Sequence, residues 1–277
     1  MRNLNYLNSI EIDEFDLIKD SKHLATRQNL ENIRHRVINR YNAYLNGFDT
    51  IHGMVNSTFI DPEKSNLQGC YTIKTIARDN FLGRIINNQT DEFKQICPYC
   101  LILPRTTFDH YVPEEDYPVF SVLGKNLIPS CTTCNGKKLT YWRNGGARTI
   151  IHFYNDIIPN IQFIFGNLTF NQNLPSITFR LRRGPGIPLR FYSIARLHFT
   201  RLELLERYSE SVASLLGDIT VDIDAVRLVF GNALTPQAIA DILLNKSNRL
   251  KQLYGNNYWK SIALDLLANS QQYINSL

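Results

Sequence analysis

The sequence predicts an α+β protein: helical at its N-terminal end, irregular in the middle, and mixed helix and strand toward its C-terminal end. Three observations predict this. Apolar residues recur at three- and four-residue spacing before residue 92 and after residue 193, the period of helices with one buried face. Between about 93 and 145 that period fails, and four of the five cysteines appear there in two Cys-x-x-Cys pairs. Between 161 and 180 two short apolar-rich runs flank a turn, as strands do. The expected organisation is a helical region over 1–92, a metal-stapled unit over 93–145, and a basic hairpin followed by helices over 146–277.

Taken in order, Leu30, Ile33, Val37, Tyr41 and Tyr44 define a helix that Gly47 can end. Asp61-Pro62-Glu63 marks another helix start, with proline in the first turn. The pattern from there to Asn87 is weaker, and Cys70 within it reads as a small buried thiol. In the irregular middle, residues 101–103 and 119–123 are expected as strands, and a short helix is expected through 138–142 with Asn135 as its cap. Residues 161–165 and 176–180 are expected as strands around a turn at 171–173. A helix over 193–216 should end at Gly217, another should start at Thr235-Pro236 and end at Gly255, and a last one should cover 258–274.

The whole chain bounds the function. Its 277 residues, 44% hydrophobic and 20% charged, have the balance of a soluble globular protein. No apolar run approaches the roughly 18 residues of a membrane span. Glu11, Asp13, Glu14 and Asp16 stand where a secretory apolar core would lie. Cysteines in closely spaced pairs suit a metal in a reducing compartment, so a cytoplasmic location is expected. Net charge is +5, unevenly spread: residues 137–201 hold ten cations against one acid, Asp156, a net of +9 that leaves −4 elsewhere. Lys137, Arg143, Arg148, Arg180, Arg182 and Arg183 in that stretch are candidate nucleic-acid contacts, the alternative being a solvated face.

Cys97, Cys100, Cys131 and Cys134 match the spacing of a four-thiolate zinc site. One Cys-x-x-Cys alone could be redox chemistry; a second pair favours zinc. Such a site has no open coordination position, so it would anchor the chain and catalyse nothing.

Other residues stand between and behind the cysteine pairs. The text runs Phe108-Asp109-His110-Tyr111-Val112-Pro113, then Asn126-Leu127-Ile128-Pro129-Ser130-Cys131, then Cys134-Asn135-x-x-Lys138. On chemistry alone, His110 suits a general base near neutral pH, while Asp109 and Asn135 offer the hard oxygen ligands that suit Mg²⁺ or Mn²⁺. Each also has a bland alternative: a turn histidine, a turn asparagine at 126, a helix cap at 135, a solvated lysine at 138.

Over about forty residues this text resembles the HNH, or ββα-metal, endonuclease family. Many members have histidine where this chain has Asn135, and the version here looks like the HNH domain of RNA-guided CRISPR nucleases. The resemblance implies a metal-dependent endonuclease of DNA with a structural Zn²⁺ and a catalytic Mg²⁺ or Mn²⁺. It also implies that Asn126 braces the loop carrying His110, and that Lys138 reaches the phosphate. By analogy it further implies an effector of a prokaryotic antiphage or restriction system, partnered with an ATPase or another defence subunit, and a possible homodimer. The rivals are a non-catalytic zinc module that binds nucleic acid or protein, and an RNA-cleaving toxin. His23, His35, His52, His152 and His198 fall in no pattern, and no chemistry is assigned to them.

Overall fold

The structure is a computed structural model describing residues 1–7, 9–56, 58–231 and 234–277. Two units divide the chain: Asn3–Tyr99 with Leu103–Asp156, and Met1–Arg2 with Cys100–Ile102 and Ile157–Leu277.

The first unit begins with helix α1 (Glu11–Asp20), whose first turn holds Glu11, Asp13 and Glu14 at the positive end of the helix dipole. Helix α2 (Leu24–Asn46) buries the expected face of Leu30, Ile33, Val37, Tyr41 and Tyr44, and Gly47 follows it as expected. The weak pattern toward Asn87 resolves into two helices, α3 (Glu63–Thr72) and α4 (Ile76–Asn87). Thr75 divides them by capping Arg78 N through its hydroxyl at 3.2 Å. Cys70 is buried in α3 as expected, and burial pushes its thiol up to about 12. A short helix α5 (Asp91–Gln95) leads into the cysteine segment.

Strands β1 (Thr107–His110) and β2 (Leu127–Ser130) pair antiparallel, with Asp109 opposite Ile128 and His110 opposite Leu127. Helix α6 (Thr132–Lys138) follows β2 almost at once, so the local order is strand, strand, helix. The expected strands are not here. Residues 101–103 form a bend, with Leu101 at a φ of 53°. Pro118–Phe120 is a single 3₁₀ turn closed by Ser121 N on Pro118 O at 3.1 Å. Short apolar runs that are buried look alike in sequence whether they are strands or turns. The short helix also lies earlier than expected. Cys131 caps α6, its sulfur accepting from Cys134 N at 3.3 Å, which places Asn135 in the helix interior and excludes it as the cap. Two-residue strands β3 (Arg143–Asn144) and β4 (Ala147–Arg148) close a tight turn with Gly145 at a φ of 56°.

In the second unit β5 (Ile164–Asn171) and β6 (Leu174–Leu181) form a hairpin of eight residues per strand. Gln172 and Asn173, at φ 48° and 68°, make its two-residue turn. Among the described residues five α-helices follow: α7 (Leu189–Arg201), α8 (Leu204–Phe230), α9 (Pro236–Tyr254), α10 (Trp259–Ala268) and α11 (Gln271–Ile274). The expected helix over 193–216 is instead two, broken at Leu202 and Glu203, with Glu203 at a φ of 52°. Helix α8 continues through Gly217, because one interior glycine costs only about 1 kcal/mol, too little to stop a long packed helix. Thr235 and Pro236 start α9 and Gly255 ends it as expected, while Ser270 restarts the last segment by capping Tyr273 N at 3.3 Å. Ile177 and Phe179 of the hairpin join the core, Phe179 meeting Tyr208 of α8 edge-on at 5.8 Å. A Cβ on Gly166 would stand 2.6 Å from the Leu266 side-chain tip and 3.3 Å from Ile177, so β5 and α10 pack closely at this glycine. Among the described residues no helix is long and apolar enough to cross a membrane.

Candidate active site

The four sulfurs of Cys97, Cys100, Cys131 and Cys134 lie within 4.8 Å of one another, and all four residues are buried. None is in a disulfide. With Zn–S bonds of about 2.3 Å, a tetrahedral site has edges of about 3.8 Å, so the set needs only slight contraction to hold zinc. Ile102 N donates to Cys100 Sγ at 3.5 Å, and Cys134 N to Cys131 Sγ, interactions that favour thiolates. The donor set therefore fits a zinc ion.

Tyr99, inside the first cysteine pair, links this cluster to a second group. Its hydroxyl donates to Asp109 Oδ2 at 2.7 Å, and Lys138 Nζ, from the end of α6, donates to Asp109 Oδ1 at 3.0 Å. Asp109 is 2% exposed and Lys138 fully buried. Burial raises the Asp109 carboxyl and lowers the Lys138 ammonium, and the opposite charge of each partner counters both shifts. Lys138 Nζ also donates to His110 O at 2.8 Å. The lysine was expected to reach a phosphate; here it bonds Asp109 and the His110 carbonyl inside the protein.

Asp109, His110, Glu114, Glu115, Asn135 and Leu139 line one cleft of about 220 Å³. His110 Nε2 stands 2.9 Å from Ser121 O. A carbonyl can only accept, so Nε2 carries the proton and Nδ1 holds the lone pair. Burial lowers the imidazole to about 4, the Lys138 charge acts in the same direction, and the Ser121 carbonyl opposes. The ring is therefore neutral near pH 7, and Tyr71 packs edge-on against it at 4.6 Å. Burial and then the Glu115 charge raise Glu114 to about 7.

Asn126 is fully buried and three of its side-chain hydrogen bonds serve the loop after His110. Oδ1 accepts from Val112 N at 2.8 Å, while Nδ2 donates to Val112 O at 3.0 Å and Phe120 O at 3.2 Å. The network continues to residues that sequence reasoning passed over. Tyr44 donates to Asn126 Oδ1 at 3.3 Å and lies 3.2 Å from His152 Nε2. His152 Nδ1 accepts from Tyr154 N and Asn155 N, which leaves the proton on Nε2, directed at Tyr44. Tyr44 looked like helix core, His152 stood in no motif, and Tyr99 was only a spacer within the first Cys-x-x-Cys pair. Only their burial beside polar atoms marks them.

Asn135 faces the cleft from α6, and its Nδ2 lies 3.4 Å from Phe108 O. The Asp109 and Asn135 oxygens are hard donors, each with lone pairs to spare, and two more carboxylates share the cleft. That donor set fits a small divalent cation that keeps several waters.

The candidate nucleic-acid contacts separate. Arg148 is buried and forks onto both oxygens of Asp156, and Arg143 donates to His52 O and Met54 O at 2.8 Å each. Both hold loops in place; Arg148 is closed onto Asp156, a correction to the expectation from charge alone, while Arg143 is half-buried with one nitrogen on the two carbonyls. Lys137 is half-buried on α6, whereas Arg180, Arg182 and Arg183 are exposed on the second unit.

The chain is similar to Protein ea31 of Escherichia phage lambda, 27% identical over 191 residues. That match covers 65% of this chain and 64% of the phage protein, so it spans less than two thirds of that relative's length. No family model matches the sequence, and no solved structure matches it.

Proposed function

We propose that this protein is a metal-dependent endonuclease of the HNH type that hydrolyses phosphodiester bonds in DNA. One observation carries the reading: His110 is neutral, fixed by Ser121 O through Nε2, and shares a cleft with Asp109 and Asn135. A neutral imidazole sharing a cleft with hard oxygen donors is the equipment of a general base for water. Asp109 and Asn135 would hold a Mg²⁺ or Mn²⁺ ion, which supplies positive charge beside the scissile phosphate.

The chain's own residues have the following roles. His110 Nδ1 takes the proton of the attacking water as its oxygen bonds to phosphorus, and the bond to the departing sugar oxygen breaks. Ser121 O fixes the tautomer that leaves Nδ1 unprotonated. Asn126, backed by Tyr44 and His152, holds the loop that carries this geometry. Lys138 and Tyr99 orient the Asp109 carboxylate. The four cysteines, filled by zinc, hold Tyr99 and the start of α6 in place. We infer a cytoplasmic setting and an antiphage or restriction role with a companion ATPase or other defence subunit from the motif resemblance. Similarity to a phage protein is compatible with that setting.

Supercoiled DNA, linear DNA and RNA incubated with Mg²⁺ or Mn²⁺ test the reading. DNA cleavage is expected, and His110→Ala should lower its rate by about 10²–10⁴-fold or more with the fold intact. Cleavage of RNA alone would make the protein an RNA-cleaving toxin. No cleavage by the zinc-loaded protein, or an unimpaired His110→Ala variant, would overturn the assignment.

A further inference from the structure

The β5–β6 hairpin has two unlike faces. Residues opposite each other in an antiparallel pair project to the same side, so the register sorts the side chains. Ile164, Gly166, Ile177 and Phe179 turn toward α8 and α10. Phe165, Asn167, Thr169, Ser176, Thr178 and Arg180 share the other side, and all but half-buried Phe165 are exposed. Arg182 extends that row, its guanidinium 4.1 Å over the Phe165 ring. A solvated sheet face normally mixes charges of both signs. Here residues 157–202 contain six arginines and no Asp or Glu, and among the described residues neither Arg180 nor Arg182 has a carboxylate partner.

We propose that this face of the hairpin is a docking surface for double-stranded DNA, seated as a two-stranded ribbon in the major groove; the choice of DNA rests on the nuclease reading above. The dimensions fit: a groove about 12 Å wide admits a two-stranded ribbon, and eight residues per strand extend about 27 Å. So do the side chains. Ser, Thr and Asn hydroxyls and amides bond phosphate oxygens and base edges, and Arg180 and Arg182, about 6.8 Å apart along one strand, supply the fixed cations. Stacking on Phe165 pre-orders one guanidinium, so less freedom is lost on binding. Charge complementarity selects the occupant, because a polyanion meets no carboxylate anywhere on this face.

The test is duplex binding by the full zinc-loaded chain carrying His110→Ala, followed by fluorescence anisotropy of a labelled 30-base-pair DNA between 50 and 200 mM KCl. Arg180→Ala with Arg182→Ala should weaken binding at least tenfold at 100 mM and flatten the slope of log K against log[salt] by about 1.8, two contacts at 0.9 each. Asn167→Ala with Thr178→Ala should weaken binding severalfold with the slope unchanged. Arg249→Ala, an exposed cation on α9, should change neither. Unchanged affinity in both double variants, at unchanged melting temperature, would overturn the proposal, as would equal or tighter binding of single strands or duplex RNA. Cleavage by the chain without the His110 substitution is scored separately. Hairpin-dependent binding without cleavage refutes the nuclease reading alone, and cleavage with hairpin-independent binding refutes this one alone.

Discussion

Two antiparallel hairpins in this protein use the same backbone pairing for opposite ends. In β5–β6 the side chains alternate between a packed face and a wet one. In β1–β2 nothing is fully exposed: all of β2 is buried, as is Asp109 of β1. A polar group on the wet face is satisfied by water and can be exchanged at little cost. In the dry hairpin a buried charge or amide costs most when unpaired, although the Ser130 hydroxyl is left without a partner among the described residues. Asp109 therefore carries Tyr99 and Lys138, and Asn126 carries two backbone carbonyls and an amide. Burial makes these residues rigid and chemically perturbed, which is what an active site needs and a docking surface does not.

Substitutions in the two hairpins can break or sharpen this contrast. The largest effect is expected at the staple. Cys131→Ser should give insoluble or protease-sensitive protein, because the segment around β1 and β2 has little core of its own and metal binding supplies folding free energy. Elemental analysis should find one zinc per wild-type chain, and none would remove the dry hairpin's support from the account. Next, Asn135→Leu should abolish cleavage while Asn135→His retains some, with preference moving from Mg²⁺ toward Mn²⁺, Co²⁺ or Ni²⁺ because imidazole is the softer donor. Equal metal profiles in wild type and the histidine variant would exclude Asn135 as a ligand. Third, Asn126→Ala should lower stability by about 2–4 kcal/mol, since it strands buried backbone groups of Val112 and Phe120.

A subtler effect concerns pH. Burial holds His152 well below the ordinary histidine range, so the native state stays neutral where an unfolded histidine, titrating near about 6.5, gains a proton. The unfolded state then binds more protons, so stability should fall as pH drops below about 6.5 and be unaffected by this group above it. His152→Phe should remove that part of the slope, which denaturant melts at pH 7.5 and 5.5 would detect. Identical slopes would mean that His152 charges within the fold. The smallest effect is expected on the wet face, where Thr178→Ala should change stability by no more than about 0.5 kcal/mol. A cost as large as that at Asn126 would erase the contrast.

The same contrast explains what could be read from the sequence. The turn of the β5–β6 hairpin and its second strand were legible, while the expected strand 161–165 meets β5 only at residues 164 and 165; α2 was legible because its buried face prints a period near 3.6. β1 and β2 left no such print, so the apolar runs 101–103 and 119–123 were mistaken for the strands. The cysteine spacing was legible because a metal demands it, and the four sulfurs do converge. Arg148 misled because charge on paper says nothing of Asp156, eight residues away and closed onto it. Tyr44 and His152 gave no signal, since a hydroxyl or imidazole among apolar residues reads as core until its neighbours in space are known, and Tyr99 read only as a spacer between two cysteines.

Helix α6 has only seven residues, about half the length at which an isolated helix begins to hold together in water. Its first turn starts from Cys131 and includes Cys134, and its last turns carry Asn135 and Lys138. Metal held by those thiolates would thus set the local unfolding equilibrium of the whole helix. Stripping it by a chelator, or oxidising the sulfurs, would dismantle one wall of the cleft without touching a residue that lines it. Opening would begin at this helix, so amide exchange along 132–138 would be the first signal to rise on the way to losing the fold of the stapled segment.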